Sequence, residues 1–181
     1  MKISVEKTPF EGVLVLQPEI FRDERGYFME TFRAEHCESV CKVRFVQDNE
    51  SLSQQGVIRA LHFQVPPFGQ AKLVRVLSGS IIDVMVDLRK DSPTFGKHYK
   101  IKLSAANRKQ VFIPVGFAHG FAALENDTLV QYKCSAYYHP QAEGSLRWND
   151  PVLDIDWGIR TPILSDKDRN APLFENFDSP F

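Results

Sequence analysis

His62 and His119 are the residues around which chemistry could be organised. His62 sits in Arg59-Ala60-Leu61-His62-Phe63-Gln64, where strand alternation puts Ala60, His62 and Gln64 on one face and Arg59, Leu61 and Phe63 on the other. His119 lies in Gly116-Phe117-Ala118-His119-Gly120-Phe121, whose glycines let backbone or ligand approach closely. An imidazole facing an enclosed space needs partners, because burying an unpaired polar group costs on the order of a few kcal/mol. A metal is one such partner. A metal-binding barrel, however, is expected to supply a His-x-His pair, a nearby carboxylate and a later third histidine. Here Phe63 and Gln64 follow His62, and Lys72 brings an ammonium that repels a cation, so neither metal nor other cofactor is expected. Abstraction of a proton next to a ketone uses the same parts without a metal. It needs a base near neutral pKa, a cation for the developing enolate oxygen and, for inversion, an acid on the opposite face. His62, Lys72 and Tyr132 meet those needs, and a carboxylate would hold the imidazole in one tautomer. Asp83 and Asp87, alternating with Val84 and Val86, are available for that task, although the same pattern also fits solvent-facing carboxylates.

Short strands must present these side chains. Residues 72–77, a Ser78-Gly79 turn and residues 80–88 read as a hairpin. Tyr99, Ile101 and Leu103 alternate with Lys100 and Lys102, and segments 111–114, 116–124 and 129–135 are each bounded by Gly, Pro, Asn or Asp. Towards the N-terminus, 13–16 reads as a buried strand and 33–41 as one short amphipathic helix. Strands at 43–47 and 57–64 follow, then a loop at 65–69 carrying two prolines. Eight or more short strands with little helix predict an antiparallel sandwich or barrel, with the jelly roll first. Past Pro140 the texture loosens. Trp157, Ile163, Leu164, Leu173 and Phe174 would expose much apolar area unless this extension packs on the barrel.

Composition narrows the classes further. A chain of 181 residues, 43% hydrophobic and 25% charged, predicts one globular domain over 1–181. With 22 Lys+Arg against 23 Asp+Glu the net charge is −1, which leaves no basic excess for a phosphate backbone and makes nucleic acid an unexpected partner. The longest apolar runs, such as Ile81-Ile82 and 121–124, fall far below the roughly 18 residues of a membrane span. Met1-Lys2 is followed by Glu6, Lys7 and Glu11 with no continuous apolar core, which reads as a cytoplasmic protein. Cys37, Cys41 and Cys134 read as free thiols, and His36, Cys37 and Cys41 lack the fourth ligand of a zinc site.

Longer motifs run nearly end to end. They include Asp23-Glu24-Arg25-Gly26-Tyr27-Phe28-Met29-Glu30, Phe45-Val46-Gln47-Asp48-Asn49, Gly56-Val57-Ile58-Arg59-Ala60-Leu61-His62-Phe63-Gln64 and Ala71-Lys72-Leu73-Val74-Arg75. Asp87-Leu88-Arg89, Ser92-Pro93-Thr94-Phe95-Gly96, the His119 segment, Tyr132-Lys133, Trp148-Asn149-Asp150 and Leu164-Ser165-Asp166-Lys167-Asp168 follow in order. In these motifs the chain resembles the dTDP-4-dehydrorhamnose 3,5-epimerase family. The resemblance implies an all-β, metal-independent cupin jelly roll with few short helices and a C-terminal extension over 140–181. It further implies a homodimer that exchanges N-terminal strands within 1–30. The implied activity is an isomerase's, acting on dTDP-4-keto-6-deoxyglucose in making the activated L-rhamnose of bacterial surface polysaccharides.

The resemblance also implies roles. His62 is similar to the family's base, Asp168 to its dyad partner, Tyr132 to the opposite-face acid and Lys72 to the residue beside the C4 oxygen. Arg59, His119, Tyr138 and Glu143 match positions around the sugar and diphosphate, Gln47 and Asn49 match nucleotide-side contacts, and Lys167 matches a further substrate contact. Arg25, Phe28 and Glu30 match a segment that reaches a neighbouring subunit's nucleotide, Arg for phosphate charge and Phe for stacking. Two positions depart from the family pattern. Ala60 replaces a common Gly, adding a methyl expected to tighten the pocket, and Glu50 replaces a common His. Alternatives stay open: epimerisation at C3 or C5 only, another nucleotide's keto-sugar, or a carbohydrate-binding module that would need no base, cation and acid together.

Overall fold

A computed structural model describes residues 3–181; Met1 and Lys2, the start of the expected exchanged segment, lie outside the described residues. In chain order the strands are β1 (Ile3–Lys7), β2 (Leu14–Pro18), β3 (Phe21–Asp23), β4 (Gly26–Phe28), β5 (Gln47–Ser53), β6 (Ile58–Gln64) and β7 (Lys72–Ser78). They continue as β8 (Ser80–Asp87), β9 (His98–Ser104), β10 (Gln110–Ile113), β11 (Phe117–Ala123), β12 (Thr128–Cys134) and β13 (Glu143–Ser145). Two short helices, α1 (Ala34–Cys41) and α2 (Asp166–Arg169), complete the regular structure apart from single 3-10 turns. Six strands form one sheet in the order β1-β2-β10-β7-β12-β5, and five form a second in the order β13-β6-β11-β8-β9, while β3 and β4 make a separate hairpin. Strand pairing within the sheets is antiparallel, and the long crossovers between them make the expected jelly roll.

Alternation along the strands builds three apolar layers. Inward residues of both sheets, among them Val74, Val76, Ile81, Met85, Leu103, Val111 and Phe121, pack as the barrel interior. The outer face of the six-stranded sheet is covered by α1, whose Cys37 and Cys41 meet Leu16, Leu73 and Phe112. The outer face of the five-stranded sheet is covered by the extension, with Leu146, Leu153 and Trp157 against Ile58, Leu61, Val84 and Ala118. Asp150 ties that extension together, accepting from the backbone N–H of Val152, Leu153 and Phe174. The three cysteines are free and buried, and no helix among the described residues is long and apolar enough to cross a membrane.

One expected strand is displaced. The sequence places a strand at 43–47, but Val43 and Phe45 pack in the layer under α1, and the strand runs over Gln47–Ser53 instead. Its inward-facing positions are Gln47, Asn49, Ser51 and Ser53. A polar inner face carries no hydrophobic alternation, so the period-two signal was silent where the strand lines a cavity.

Candidate active site

β6, the strand that carries His62, does not alternate as expected. His119 pairs with His62 and Phe121 with Arg59, so three steps along β6 match two along β11, a β-bulge. Ala60 and Leu61 therefore both join the outer apolar layer, while Arg59 and His62, predicted on opposite faces, both line the same cavity. Gly120 makes room for this: a Cβ there would lie 2.4 Å from Ala60 Cβ and 2.8 Å from Arg59 O. The methyl of Ala60 consequently packs away from the pocket rather than tightening it.

His62 Nε2 lies 2.6 Å from Asp168 Oδ1. That carboxylate is carried by α2, whose N-cap Ser165 accepts a hydrogen bond from the Asp168 N–H at 3.1 Å. The Asp168 side chain is 5% exposed against 29% for His62, so a dry carboxylate holds an imidazole that opens on the cavity. Lys72 Nζ reaches 3.5 Å from the His62 carbonyl oxygen and lies 6.0 Å from the centroid of the Tyr132 ring. Burial holds Lys72 below the usual lysine range, offset in part by Cys134, Asp83 and Glu143. Burial also raises the Tyr132 phenol, which keeps it protonated and able to give a proton at neutral pH.

A second histidine–carboxylate pair lies deeper. His119 Nε2 is 2.7 Å from Asp83 Oδ1, with both side chains almost completely enclosed. Burial pushes His119 down from the usual histidine value; Asp83 opposes this, and Lys72 and His62 add to it. Asp83 and Asp87 are both fully buried, which excludes the solvent-facing alternative. Asp83 orients a histidine, though His119 rather than His62. Asp87 staples a loop, accepting from Arg89, Ser92 and Thr94. These hydrogen bonds overcome the upward push of burial and hold its pKa at about 2.

A cavity of about 450 Å3 brings together Arg59, His62, Lys72, His119, Tyr132, Lys167 and Asp168. An adjoining cavity of about 320 Å3 shares His62, Lys72 and Tyr132 and adds Gln47, Asn49, Tyr138 and Glu143. Gln47 Nε2 donates to Asn49 Oδ1 at 3.1 Å, and Tyr138 OH donates to Glu143 Oε2 at 3.0 Å. Lys167 Nζ lies 2.5 Å from Glu143 Oε1, closing one side. Arg59 is fixed by Ser53 Oγ and the Leu52 carbonyl. Arg25, Phe28 and Glu30 are not brought to either cavity. Arg25 is 85% exposed and paired with Asp23, Phe28 is 68% exposed, and Glu30 is paired with Arg33. Ser51, Val57, Ile163, Leu164 and Ser165 also line the larger cavity and were missed as site residues. Ser165 had a signal, since serine before Asp-x-Asp marks a helix start; Ile163 meets Val57 through one isolated bridge that no spacing announces.

Comparisons with known proteins give the chain its family. The family model for dTDP-4-dehydrorhamnose 3,5-epimerase matches residues 7–176. The chain is 51% identical over 175 residues to a dTDP-4-dehydrorhamnose 3,5-epimerase of Methanothermobacter thermautotrophicus, covering 94% of each chain. A dTDP-6-deoxy-D-glucose-3,5-epimerase of Legionella pneumophila, solved in complex with dTDP-4-keto-L-rhamnose, superposes with a TM-score of 0.93 at 44% identity, covering 98% of this chain and 95% of that one. A dTDP-4-dehydrorhamnose 3,5-epimerase of Bacillus anthracis, solved with TDP and PPi bound, gives a TM-score of 0.93 at 46% identity, with 96% and 100% covered. Similarity at this level extends from the N-terminal strands through the segment that carries Asp168, and the chain belongs to the dTDP-4-dehydrorhamnose 3,5-epimerase family.

Proposed function

We propose that this chain converts dTDP-4-dehydro-6-deoxy-D-glucose to dTDP-4-dehydro-L-rhamnose by epimerisation at C3 and C5, a step of dTDP-L-rhamnose synthesis in the cytoplasm. The observation that carries the reading is the His62 imidazole, clamped by a dry carboxylate and opening on a cavity it shares with Lys72 and Tyr132. With its Nε2–H donated to Asp168, His62 keeps the Nδ1 lone pair for the substrate. It takes a proton from the carbon beside the C4 ketone, and the electron pair moves onto the ketone oxygen as an enolate. The Lys72 ammonium stabilises that oxygen, and the Tyr132 phenol returns a proton from the other face, the cycle repeating at the second centre. Arg59 and His119 bind around the sugar and diphosphate; Tyr138 and Glu143, which the resemblance groups with them, line the adjoining cavity with Gln47 and Asn49 and hold the nucleotide side together with those two, and Lys167 makes a further substrate contact.

In this reading one jelly-roll domain over 1–181 forms a homodimer that exchanges N-terminal strands within 1–30. Arg25, Phe28 and Glu30 then reach the neighbour's nucleotide. Support comes from the β3–β4 hairpin, whose Phe21, Tyr27 and Phe28 are 50%, 51% and 68% exposed. Proton NMR of the keto-sugar with catalytic enzyme in deuterated water tests the activity. Loss of both the C3 and C5 signals is expected; exchange at one centre alone supports a mono-epimerase instead, and no exchange at either refutes the reading.

A further inference from the structure

We infer that Gln64 is a positioning residue that acts through Tyr138 on the nucleotide half of the site, an inference that rests on the function proposed above. Gln64 is 4% exposed, and its amide is satisfied on both sides. Nε2 donates to the carbonyl oxygens of Phe68 at 2.7 Å and Tyr137 at 3.2 Å, and Oε1 accepts the His139 N–H at 2.6 Å. The two groups held at 137 and 139 flank Tyr138, whose own N–H is taken by Gln47 Oε1 at 2.8 Å. Two glutamines therefore fix three successive backbone groups around one aromatic side chain. Without them that segment is an exposed connection between β12 and β13, where Tyr137 is 71% and Tyr138 52% exposed, and such segments are mobile by default.

Gln64 stands two residues after His62 on β6, and both side chains line the cavity that Tyr138 walls. At about 3.3 Å per residue, one rigid strand sets the base and the anchor of the nucleotide wall roughly 7 Å apart. A buried amide that bridges a catalytic strand to a surface segment belongs to binding geometry, and its loss acts on affinity rather than on the proton transfer.

The test uses Gln64→Glu, Gln64→Leu, Tyr138→Ala and the Gln64→Leu/Tyr138→Ala double variant, with dTDP as the calorimetric probe. Glu keeps the shape but sets a carboxylate against two carbonyl oxygens; Leu removes all three bonds and serves if Glu does not fold. Expected are a tenfold or greater loss of dTDP affinity, a matching rise in KM, kcat within threefold of the parent, and faster amide exchange at 138 and 139. Because Gln64 acts through Tyr138, the double variant binds dTDP about as weakly as Tyr138→Ala alone. Parental dTDP affinity in both single Gln64 variants, a fall in kcat at unchanged KM, or losses that multiply in the double variant overturn the assignment. Failure of the unaltered chain to bind dTDP overturns the proposed function itself, and needs no variant to be seen.

Discussion

Adding one methyl at Gly120 tests whether the bulge in β6 is what aims the site. The new Cβ would lie 2.4 Å from Ala60 Cβ and 2.8 Å from both Ala60 Cα and Arg59 O. Restoring ordinary separations of about 3.5 Å requires β6 and β11 to part locally by about 1 Å. Two of the three contacts involve backbone atoms that cannot rotate away, which puts the cost at the upper end of the overpacking range, about 3 kcal/mol. At about 2–4 °C per kcal/mol for a chain of this size, the Tm falls by roughly 6–12 °C. Arg59 and His62 flank the clash, and a shift of about 1 Å at a reacting group costs on the order of 10²-fold in rate. Ala60→Gly provides the control. It removes a methyl from the outer layer, costing about 0.8 kcal/mol for the lost burial and about 0.5–1 for the freer backbone, with turnover unchanged. Combined with Gly120→Ala it relieves the Cβ–Cβ contact but leaves the two at 2.8 Å, so rescue is partial. Urea unfolding and turnover of the four proteins measure this. A Gly120→Ala variant within 0.5 kcal/mol and threefold of the parent would refute the reasoning.

Three more perturbations separate the parts. Asp168→Asn keeps the shape beside His62 but removes the anionic acceptor, and kcat should drop by about 10²–10⁴-fold with circular dichroism unchanged; turnover near the parental value would remove Asp168 from the mechanism. Lys72→Met should lose about 10²–10³-fold in activity yet gain stability at pH 7. Lys72 titrates lower when folded, so the unfolded chain binds more protons and the parent is penalised below its folded pKa. The gap between variant and parent should therefore close as pH rises towards 10.5, and a pH-independent gap in chemical denaturation would contradict this. Asp87→Asn should cost about 2 kcal/mol at pH 7, since the folded carboxyl titrates at about 2 against 3.8. That stabilisation is complete above 3.8 and lost as pH falls through about 2, so equal losses at pH 7 and pH 2 would rule it out.

The fold class was legible in residues, as was a set of side chains suited to one reaction, because their signals are local. Hairpin turns, strand alternation and the amphipathic α1 follow from neighbours in sequence, and His62, Lys72 and Tyr132 fit one reaction by chemical type. What was not legible depends on distance or on wet surfaces. β5 was misplaced because its inner face is polar. Strict alternation puts Arg59 on the wrong face, because a bulge shows only against its partner strand. Asp83 stays ambiguous in sequence because a carboxylate on alternating positions looks the same whether it meets water or His119. The pairing of Asp168 with His62 came from resemblance, and no periodicity could have supplied it.

That pairing has a consequence for synthesis of the chain. His62 and Asp168 are separated by 106 positions, and the carboxylate is carried by an extension laid over the outside of the barrel. At about 5–20 residues per second, the imidazole waits on the order of 5–20 seconds for its partner. Only in the last part of that interval, once β12 is complete at Cys134, can a nascent barrel hold His62, Lys72 and Tyr132 together, with the imidazole unpaired and the cavity wall of Ile163, Leu164 and Lys167 still missing. In the proposed mechanism activity therefore reports the docking of the extension, and a chain that has folded everything but this outer layer turns over at only a small fraction of the full rate.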